Sequence, residues 1–179
     1  MVENGAKEEK AKDVGQRPAR KIAFYTLGCK VNQFDTEGLI TESRAHGYEV
    51  VSFDEPAAIY VLNTCTVTKE AERKARQLIR RVKRKHPDAF LVVTGCFAQT
   101  SAEVLAALPE VDLVVGVAGR GRLFQLLEEK LPVCSKNQVL PWAEEDGFEV
   151  FTPDFTSQTR AFLKVQDGCQ SFCSYCKIP

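Results

Sequence analysis

Short, almost wholly apolar runs alternate along the chain with longer segments in which apolar residues recur every three or four positions. The apolar runs cover residues 21–26, 57–63, 90–94 and 111–116, and runs of this length predict strands buried on both faces. A shorter strand is predicted for residues 48–53. Strands of this kind alternating with helices indicate an α/β fold, with a parallel sheet flanked by helices.

The helical periodicity places four helices between these strands. Asp35 suits the first turn of the first helix, and Thr68 suits the N-cap of the second. Thr100 and Glu103 have the spacing of a capping box at the start of the third. The predicted helices cover residues 35–47, 68–85, 100–108 and 123–131.

The segments outside this alternation predict the domain boundaries. Residues 1–20 carry many charges and almost no apolar side chain, which predicts a disordered tail. The alternating elements form one domain over residues 21–130, and the proline-containing residues 131–159 form a connector. Residues 160–168 read as one more strand, which opens the last segment, residues 160–179.

Composition narrows the classes of protein. Hydrophobic residues make up 44% of the chain, and 24 basic residues balance 24 acidic ones, so only a local patch could favour a polyanionic partner. There is no secretory signal and no apolar run of about 18 residues, which favours a cytoplasmic protein without a membrane span. Seven cysteines in such a chain suit metal binding or catalysis better than disulfides. Without a Ser-His-Asp set, a Walker loop or a dinucleotide-binding glycine motif, the sequence does not support a hydrolase or a nucleotide triphosphatase.

Three cysteines near the C-terminal end carry the most specific chemical signal. Cys169, Cys173 and Cys176 follow C-x3-C-x2-C spacing, so that three thiolates can ligate one metal centre. They suit an iron-sulfur cluster that keeps one iron open, or a zinc ion completed by a residue elsewhere, because both prefer soft thiolate donors. The alternative is three reduced cysteines with a structural role only.

Three further cysteines, Cys29, Cys65 and Cys96, each follow the end of a predicted parallel strand. The carboxyl ends of parallel strands lie on one edge of the sheet, where ligands bind, so we predict thiols on the order of 7 Å apart. Gly28 and Gly95 would let the backbone approach a bulky inorganic centre. The alternative is that these cysteines serve as small buried hydrophobic residues.

These motifs together resemble a known family. The C-terminal triplet, with Tyr175 before its last cysteine, resembles the signature of radical S-adenosylmethionine enzymes. With the segments 26–37, 63–68 and 94–96 in this order, the chain resembles the methylthiotransferases of that superfamily over residues 21–179.

The resemblance implies two 4Fe-4S clusters and S-adenosylmethionine as cofactors. The C-terminal triplet would hold the cluster whose open iron binds S-adenosylmethionine, and the strand-end cysteines would hold an auxiliary cluster. The implied ligands are Cys169, Cys173 and Cys176 for the first cluster and Cys29, Cys65 and Cys96 for the second.

The resemblance also implies the reaction. One S-adenosylmethionine methylates sulfur at the auxiliary cluster, and a second is cleaved to a radical that abstracts hydrogen from the substrate carbon. The electrons would come from a flavodoxin-like or ferredoxin-like donor, and the sulfur donor is not identified. Residues 160–179 would begin a radical S-adenosylmethionine (β/α) barrel, so we expect the chain alone to be inactive.

Residues 30–37 look most like the branch that methylthiates N6-threonylcarbamoyladenosine beside the tRNA anticodon, which implies an anticodon stem-loop as partner. Other branches modify isopentenyladenosine in tRNA or an aspartate of a ribosomal protein. A non-catalytic zinc-binding or scaffold module using the same thiols is a further alternative. Lys177 departs from the apolar residue expected after the last cluster cysteine.

The helix over residues 68–85 carries a basic ridge opposite its apolar face, formed by Arg73, Arg76, Arg80 and Arg84. The ridge could contact tRNA phosphates, or it could be an ordinary solvated face.

Three polar residues flank the strand-end cysteines: Asn32, Asn63 and Asp35. They suit hydrogen bonds around a cluster, or turn and capping roles. Cys134 has no cysteine near it in the sequence and is interpreted as a free thiol.

Overall fold

The structure is a computed structural model that describes residues 20–130, 137–139, 152–155, 162–166 and 168–176. The predicted tail, apart from its last residue, lies outside this part of the chain, as do Cys134 and Lys177.

In the part of the chain that the structure describes, six strands form one parallel sheet. They are β1 (Lys21–Thr26), β2 (Glu49–Val51), β3 (Ile59–Thr64), β4 (Phe90–Gly95), β5 (Leu113–Val115) and β6 (Asn137–Gln138). Their order across the sheet is β2-β1-β3-β4-β5-β6, and every neighbouring pair is parallel. The predicted α/β fold with a parallel sheet is therefore confirmed. The sequence pattern did not predict β6, which is only two residues long and polar.

Helices cover both faces of the sheet. They are α1 (Lys30–Ala45), α2 (Lys69–Lys85), α3 (Cys96–Thr100), α4 (Ala102–Ala106) and α5 (Leu123–Lys130), with a 3-10 turn over Arg120–Arg122 before α5. α2, α3 and α4 pack on one face, where Ile79, Phe97 and Leu105 share a core with Leu62. α1 and α5 pack on the other face.

β3 shows why the central strands read as continuous apolar runs. Tyr60 and Leu62 belong to the core on one face, and Ile59 and Val61 belong to the core on the other. All six residues of β3 are buried. A strand covered by helices on both sides has no solvent-facing positions, so its sequence loses the alternation of a half-exposed strand.

The first helix begins five residues earlier than predicted, at Lys30 rather than Asp35. Cys29 occupies the N-cap position, and its backbone N–H donates to Oδ1 of Asn32 at 3.4 Å. Asp35 therefore lies in the second turn, where it is buried. The prediction that Asp35 serves the first turn is wrong, since Asn32 satisfies the helix start instead.

The predicted helix over residues 100–108 is wrong in its start and its continuity. Gly95 turns the chain with φ +94°, and α3 begins at once at Cys96. Thr100 is the last residue of α3, and Ser101 separates it from α4. By contrast, α2 starts as predicted, because the Thr68 side chain accepts a hydrogen bond from the Ala71 N–H at 3.1 Å.

The strand predicted for residues 160–168 is not seen in the described residues 162–166, which pair with no described strand. This segment instead docks on α1 through side chains. The Phe162 ring meets Phe155 edge-on at 6.0 Å, and Phe155 lies 6.0 Å from Phe34 of α1. Among the helices that the structure describes, none is long and apolar enough to cross a membrane.

Candidate functional site

Three neighbouring strands deliver Cys29, Cys65 and Cys96 to the carboxyl edge of the sheet. Cys65 directly follows β3, Cys96 directly follows β4 and begins α3, and Cys29 lies three residues beyond β1 at the start of α1. β1, β3 and β4 are adjacent in the sheet. The predicted placement of these cysteines at strand ends on one edge is therefore what the structure has.

The strand register brings these ends to the same level. Thr26 at the end of β1 pairs with Asn63, and Thr64 at the end of β3 pairs with Gly95. The Leu27 N–H continues the β1–β3 ladder by donating to the Asn63 carbonyl at 2.8 Å. The three connections that carry the cysteines thus leave the sheet side by side.

Gly28 brings the first of these connections close to the second. Its φ is +152°, and a Cβ there would lie 3.1 Å from the Cβ of Cys65 and 2.6 Å from Oδ1 of Asn32. A side chain would fill this space, so glycine permits the close approach. The loop of Cys29 and the start of the Cys65 loop are therefore in direct contact.

Two buried asparagines tie the same loops together. Asn32 Nδ2 donates to Asn63 Oδ1 at 3.0 Å, and Asn63 Nδ2 donates to the Asn32 carbonyl at 2.9 Å and to Thr36 Oγ1 at 3.1 Å. The Cys29 thiol donates to Asn32 Oδ1 at 3.2 Å. The two asparagines are 2% and 1% exposed, so their amides have fixed partners. Asn32 thus orients Cys29, and Asn63 orients Asn32.

Asp35 does not join this network. Its carboxylate is buried between Arg120, whose Nη1 lies 2.7 Å from Oδ2, and Lys164, whose Nζ lies 2.9 Å from Oδ1. The sequence pattern did not identify Arg120 or Lys164. A basic residue in a Gly-Arg-Gly-Arg turn or in an apolar run gives no sign in the sequence that it pairs with a buried carboxylate.

The three thiols at this edge of the sheet have the donor chemistry of iron-sulfur cluster ligands. Cys65 is buried, Cys96 is partly exposed and Cys29 is exposed, and thiolates are the soft donors that iron-sulfur clusters take. Within the described ranges no group of three His, Cys, Asp or Glu side chains is arranged to hold a metal ion. The convergence of the three thiols therefore stays a prediction.

The second cysteine group lies on a short turn of the described segment 168–176. The Cys176 N–H donates to the Cys173 carbonyl at 2.9 Å, and Cys173 is exposed. The Ser171 backbone N–H donates to Cys169 Sγ at 3.4 Å, and this bond, helped by the Ser171 side chain, lowers the pKa of Cys169 below its usual value. The thiolate is the metal-binding form, so the turn favours the state that a ligand needs.

The basic ridge on α2 is largely ion-paired. Arg73 makes two hydrogen bonds to Glu70, at 2.6 and 2.8 Å, and its contact lowers the pKa of Glu70. Nη2 of Arg76 lies 3.7 Å from a carboxylate oxygen of Glu72, and its guanidinium lies 5.4 Å from the centre of the Phe97 ring.

The arginines toward the C-terminal end of the ridge are less strongly ion-paired. Arg80 lies 3.9 Å from Glu110, a long and exposed contact that stabilises little. Arg84 is exposed and has no ion pair in the described part of the chain. The last turns of α2 are therefore the part of the ridge most open to a phosphate.

Comparison with known proteins gives a family match over the sheet domain. Residues 21–116 match a family described as Uncharacterized protein family UPF0004. This range runs from the start of β1 to one residue beyond β5 and contains Cys29, Cys65 and Cys96.

Curated relatives extend the match. The chain is 44% identical over 162 residues to "Threonylcarbamoyladenosine tRNA methylthiotransferase MtaB" of Bacillus subtilis, covering 88% of this chain and 36% of that protein. It is 47% identical over 161 residues to the protein of the same name from Aquifex aeolicus, covering 89% and 39%. A "tRNA-2-methylthio-N(6)-dimethylallyladenosine synthase" of Cereibacter sphaeroides is 35% identical, with 90% and 38% covered.

The chain thus spans under two-fifths of the length of these relatives. The family match covers more than half of the chain, and the relatives are named as enzymes that add a methylthio group. The chain therefore belongs to family UPF0004, the methylthiotransferase family.

Proposed function

We propose that this chain is part of a tRNA methylthiotransferase that adds a methylthio group to N6-threonylcarbamoyladenosine beside the anticodon. The observation that carries the proposal is the delivery of Cys29, Cys65 and Cys96 by three adjacent strands to one edge of the sheet. Two of the relatives named for this modification support the choice of substrate, because they are 44% and 47% identical to the chain, against 35% for the dimethylallyladenosine relative.

The cysteines supply the ligands for two 4Fe-4S clusters in this proposal. Cys29, Cys65 and Cys96 would hold the auxiliary cluster, and the C-terminal triplet would hold the cluster that binds S-adenosylmethionine. Clusters with three protein ligands supply an iron that is open to a reactant and a source of single electrons. The chain's own residues orient the ligands: Asn32 holds the Cys29 thiol, and Gly28 lets the loops approach one another.

The tRNA partner would meet the protein partly through electrostatics. Arg80 and Arg84 offer positive charge on the exposed side of α2, which suits the phosphates of an anticodon stem-loop. A flavodoxin-like or ferredoxin-like protein would supply the electrons.

The test is to delete the gene for this protein in its own host and to analyse tRNA nucleosides by liquid chromatography and mass spectrometry. We expect threonylcarbamoyladenosine to lose its methylthio group, while methylthio-isopentenyladenosine and the ribosomal proteins are unchanged. Restoring the gene with Cys65→Ala should not restore the modification, because one cluster ligand is missing. Restoring it with Cys134→Ala, the matched cysteine control, should restore it.

Other outcomes would contradict the proposal in distinguishable ways. Loss of the methylthio group from isopentenyladenosine, or from a ribosomal-protein aspartate, would move the protein to another branch of the family. Unchanged tRNA and ribosomal proteins would reject the methylthiotransferase activity itself.

A further inference from the structure

A buried ionic cluster joins helix α1 to the segment 162–166, far along the chain. The Asp35 carboxylate accepts from Arg120 Nη1 at 2.7 Å through one oxygen and from Lys164 Nζ at 2.9 Å through the other. The side chains of Asp35, Arg120 and Lys164 are 3%, 1% and 2% exposed. Asp35 and Lys164 are 129 residues apart in sequence, so this contact depends wholly on the tertiary structure.

The two ends of the contact lead to the two cysteine groups. Asp35 lies on α1, whose N-cap is Cys29. Lys164 lies five positions before Cys169, the first cysteine of the C-terminal triplet. The Asp35–Lys164 bond is therefore a polar link between the helix that presents one cysteine group and the segment that leads into the other.

Over residues 162–165 the side chains of the docked segment alternate between α1 and solvent. Phe162 and Lys164 point toward the domain, and the Phe162 ring also lies 5.6 Å from Nζ of Lys30. Leu163 and Val165 are 84% and 82% exposed. A shift by one residue would place an apolar side chain against the Asp35 carboxylate and expel the lysine.

Such a shift is costly for a specific reason. Arg120 would still pair with Oδ2 of Asp35, but the buried Oδ1 would lose its cationic partner and keep its desolvation penalty. An aromatic contact tolerates sliding, because dispersion has little directionality. The ion pair therefore selects one register where the Phe162 contacts alone would allow several.

We propose that Asp35 is a positioning residue that sets the register of residues 162–166 on α1 and so fixes where the Cys169 turn begins. The contact does not depend on the chemistry of either cysteine group. Any effect of the Asp35–Lys164 contact on catalysis rests on the proposed function. The contact itself can be tested on the metal-free chain, so the two proposals can fail separately.

The first test measures the accessibility of Lys164 by competitive acylation of lysines and mass spectrometry. In the wild-type chain Lys164 should react far more slowly than exposed Lys69 and Lys74. Asp35→Asn should raise the labelling of Lys164 relative to those lysines at least about tenfold, because the buried amine loses its anion.

The matched control is Asp112→Asn. Asp112 pairs with Lys83 at 2.7 Å within the sheet domain, where the Lys83 side chain is 17% exposed. This variant should raise the labelling of Lys83 and leave that of Lys164 unchanged. Lys164 labelling that stays at its wild-type level in Asp35→Asn would overturn the proposal.

The second test keeps the proposal falsifiable if Asp35→Asn fails to fold. Native-state digestion with chymotrypsin requires a segment to detach before it is cut. Lys164→Met should speed cleavage after Phe162 at least about tenfold, and Lys164→Arg should restore slow cleavage because it keeps the charge. Lys83→Met should leave cleavage after Phe162 slow. Cleavage that stays slow in Lys164→Met would show that packing alone holds the segment, and equally fast cleavage in Lys164→Met and Lys164→Arg would show that the positive charge does not hold it. Either result would reject the role of Asp35.

Discussion

Two glycines, of which only Gly95 adjoins a cysteine, show how the local backbone depends on its surroundings. Gly47, after α1, and Gly95, at the end of β4, both have positive φ, +77° and +94°. A Cβ on Gly47 would meet no atom within 4 Å. A Cβ on Gly95 would collide with Oδ1 of Asn63 and lie 2.5 Å from the Thr64 carbonyl oxygen. Gly47 thus serves only a turn, whereas Gly95 also leaves room for the Asn63 side chain that lies against it.

This difference predicts unequal costs for the same substitution. Gly47→Ala should lower the free energy of unfolding by about 1 kcal/mol, the cost of a left-handed alanine. Gly95→Ala should lower it by about 3 kcal/mol or more, because the strand ends must also move apart. Urea unfolding followed by circular dichroism measures both values. Equal losses of unfolding free energy in the two variants would contradict this prediction, because they would mean that the strand ends beside Gly95 move apart at little cost.

Among the elements, α2 carries the clearest division of roles. Ala75, Ile79 and Val82 are buried against the sheet, and the arginine ridge faces away from it. The acidic residues of its first turn neutralise the first half of the ridge, as the Glu70–Arg73 pair shows. Positive charge is therefore left mainly near the C-terminal end, where it also complements the helix dipole.

We expect the double variant Arg80→Glu/Arg84→Glu to weaken tRNA binding for modified and unmodified tRNA alike. The slope of log affinity against log salt should flatten by about 2, since each lost phosphate contact removes a little less than one unit. Fluorescence anisotropy at several salt concentrations measures this.

The matched control is Arg44→Glu/Arg122→Glu. Both arginines are exposed and belong to α1 and the turn before α5, on the opposite face of the sheet. The control changes the net charge by the same amount and should leave the slope unchanged. Equal losses in both variants would assign the effect to overall charge, and an unchanged affinity in both would make α2 a solvated face.

For the molecule as a whole, the two cysteine groups differ in how they are supported. Cys29, Cys65 and Cys96 follow strands whose cores are buried on both faces of the sheet. Cys169, Cys173 and Cys176 lie on an exposed turn in which Phe172 and Tyr175 are 76% and 92% exposed. A cluster bound at the first group would be shielded by a packed domain, whereas the turn by itself shields little.

After anaerobic reconstitution and desalting, Cys65→Ala should therefore remove most of the iron that the chain retains, and Cys173→Ala should remove little. Cys134→Ala, a cysteine outside both groups, should retain as much iron as the wild-type chain. Colorimetric iron and sulfide analysis gives the amounts. Equal iron loss in Cys65→Ala and Cys173→Ala would show that the C-terminal turn holds its metal as firmly as the sheet domain.

Much of the architecture follows from local sequence. Buried parallel strands need apolar runs, and amphipathic helices need apolar residues with a period of 3.6. The elements β1, β3, β4 and α2 can therefore be predicted from the sequence. Cys65 and Cys96 stand directly after such runs, which is enough to place them on one edge once the sheet is parallel.

Only the tertiary structure decides which distant polar groups meet. Asn32 and Asn63 are 31 residues apart and Asp35 and Lys164 are 129 apart, and no local pattern pairs them. The start of α1 at Lys30 and the docking of residues 162–166 are of the same kind. A polar side chain can cap, bridge or face solvent with similar local cost, and its role is decided by the partner that folding brings within hydrogen-bonding distance.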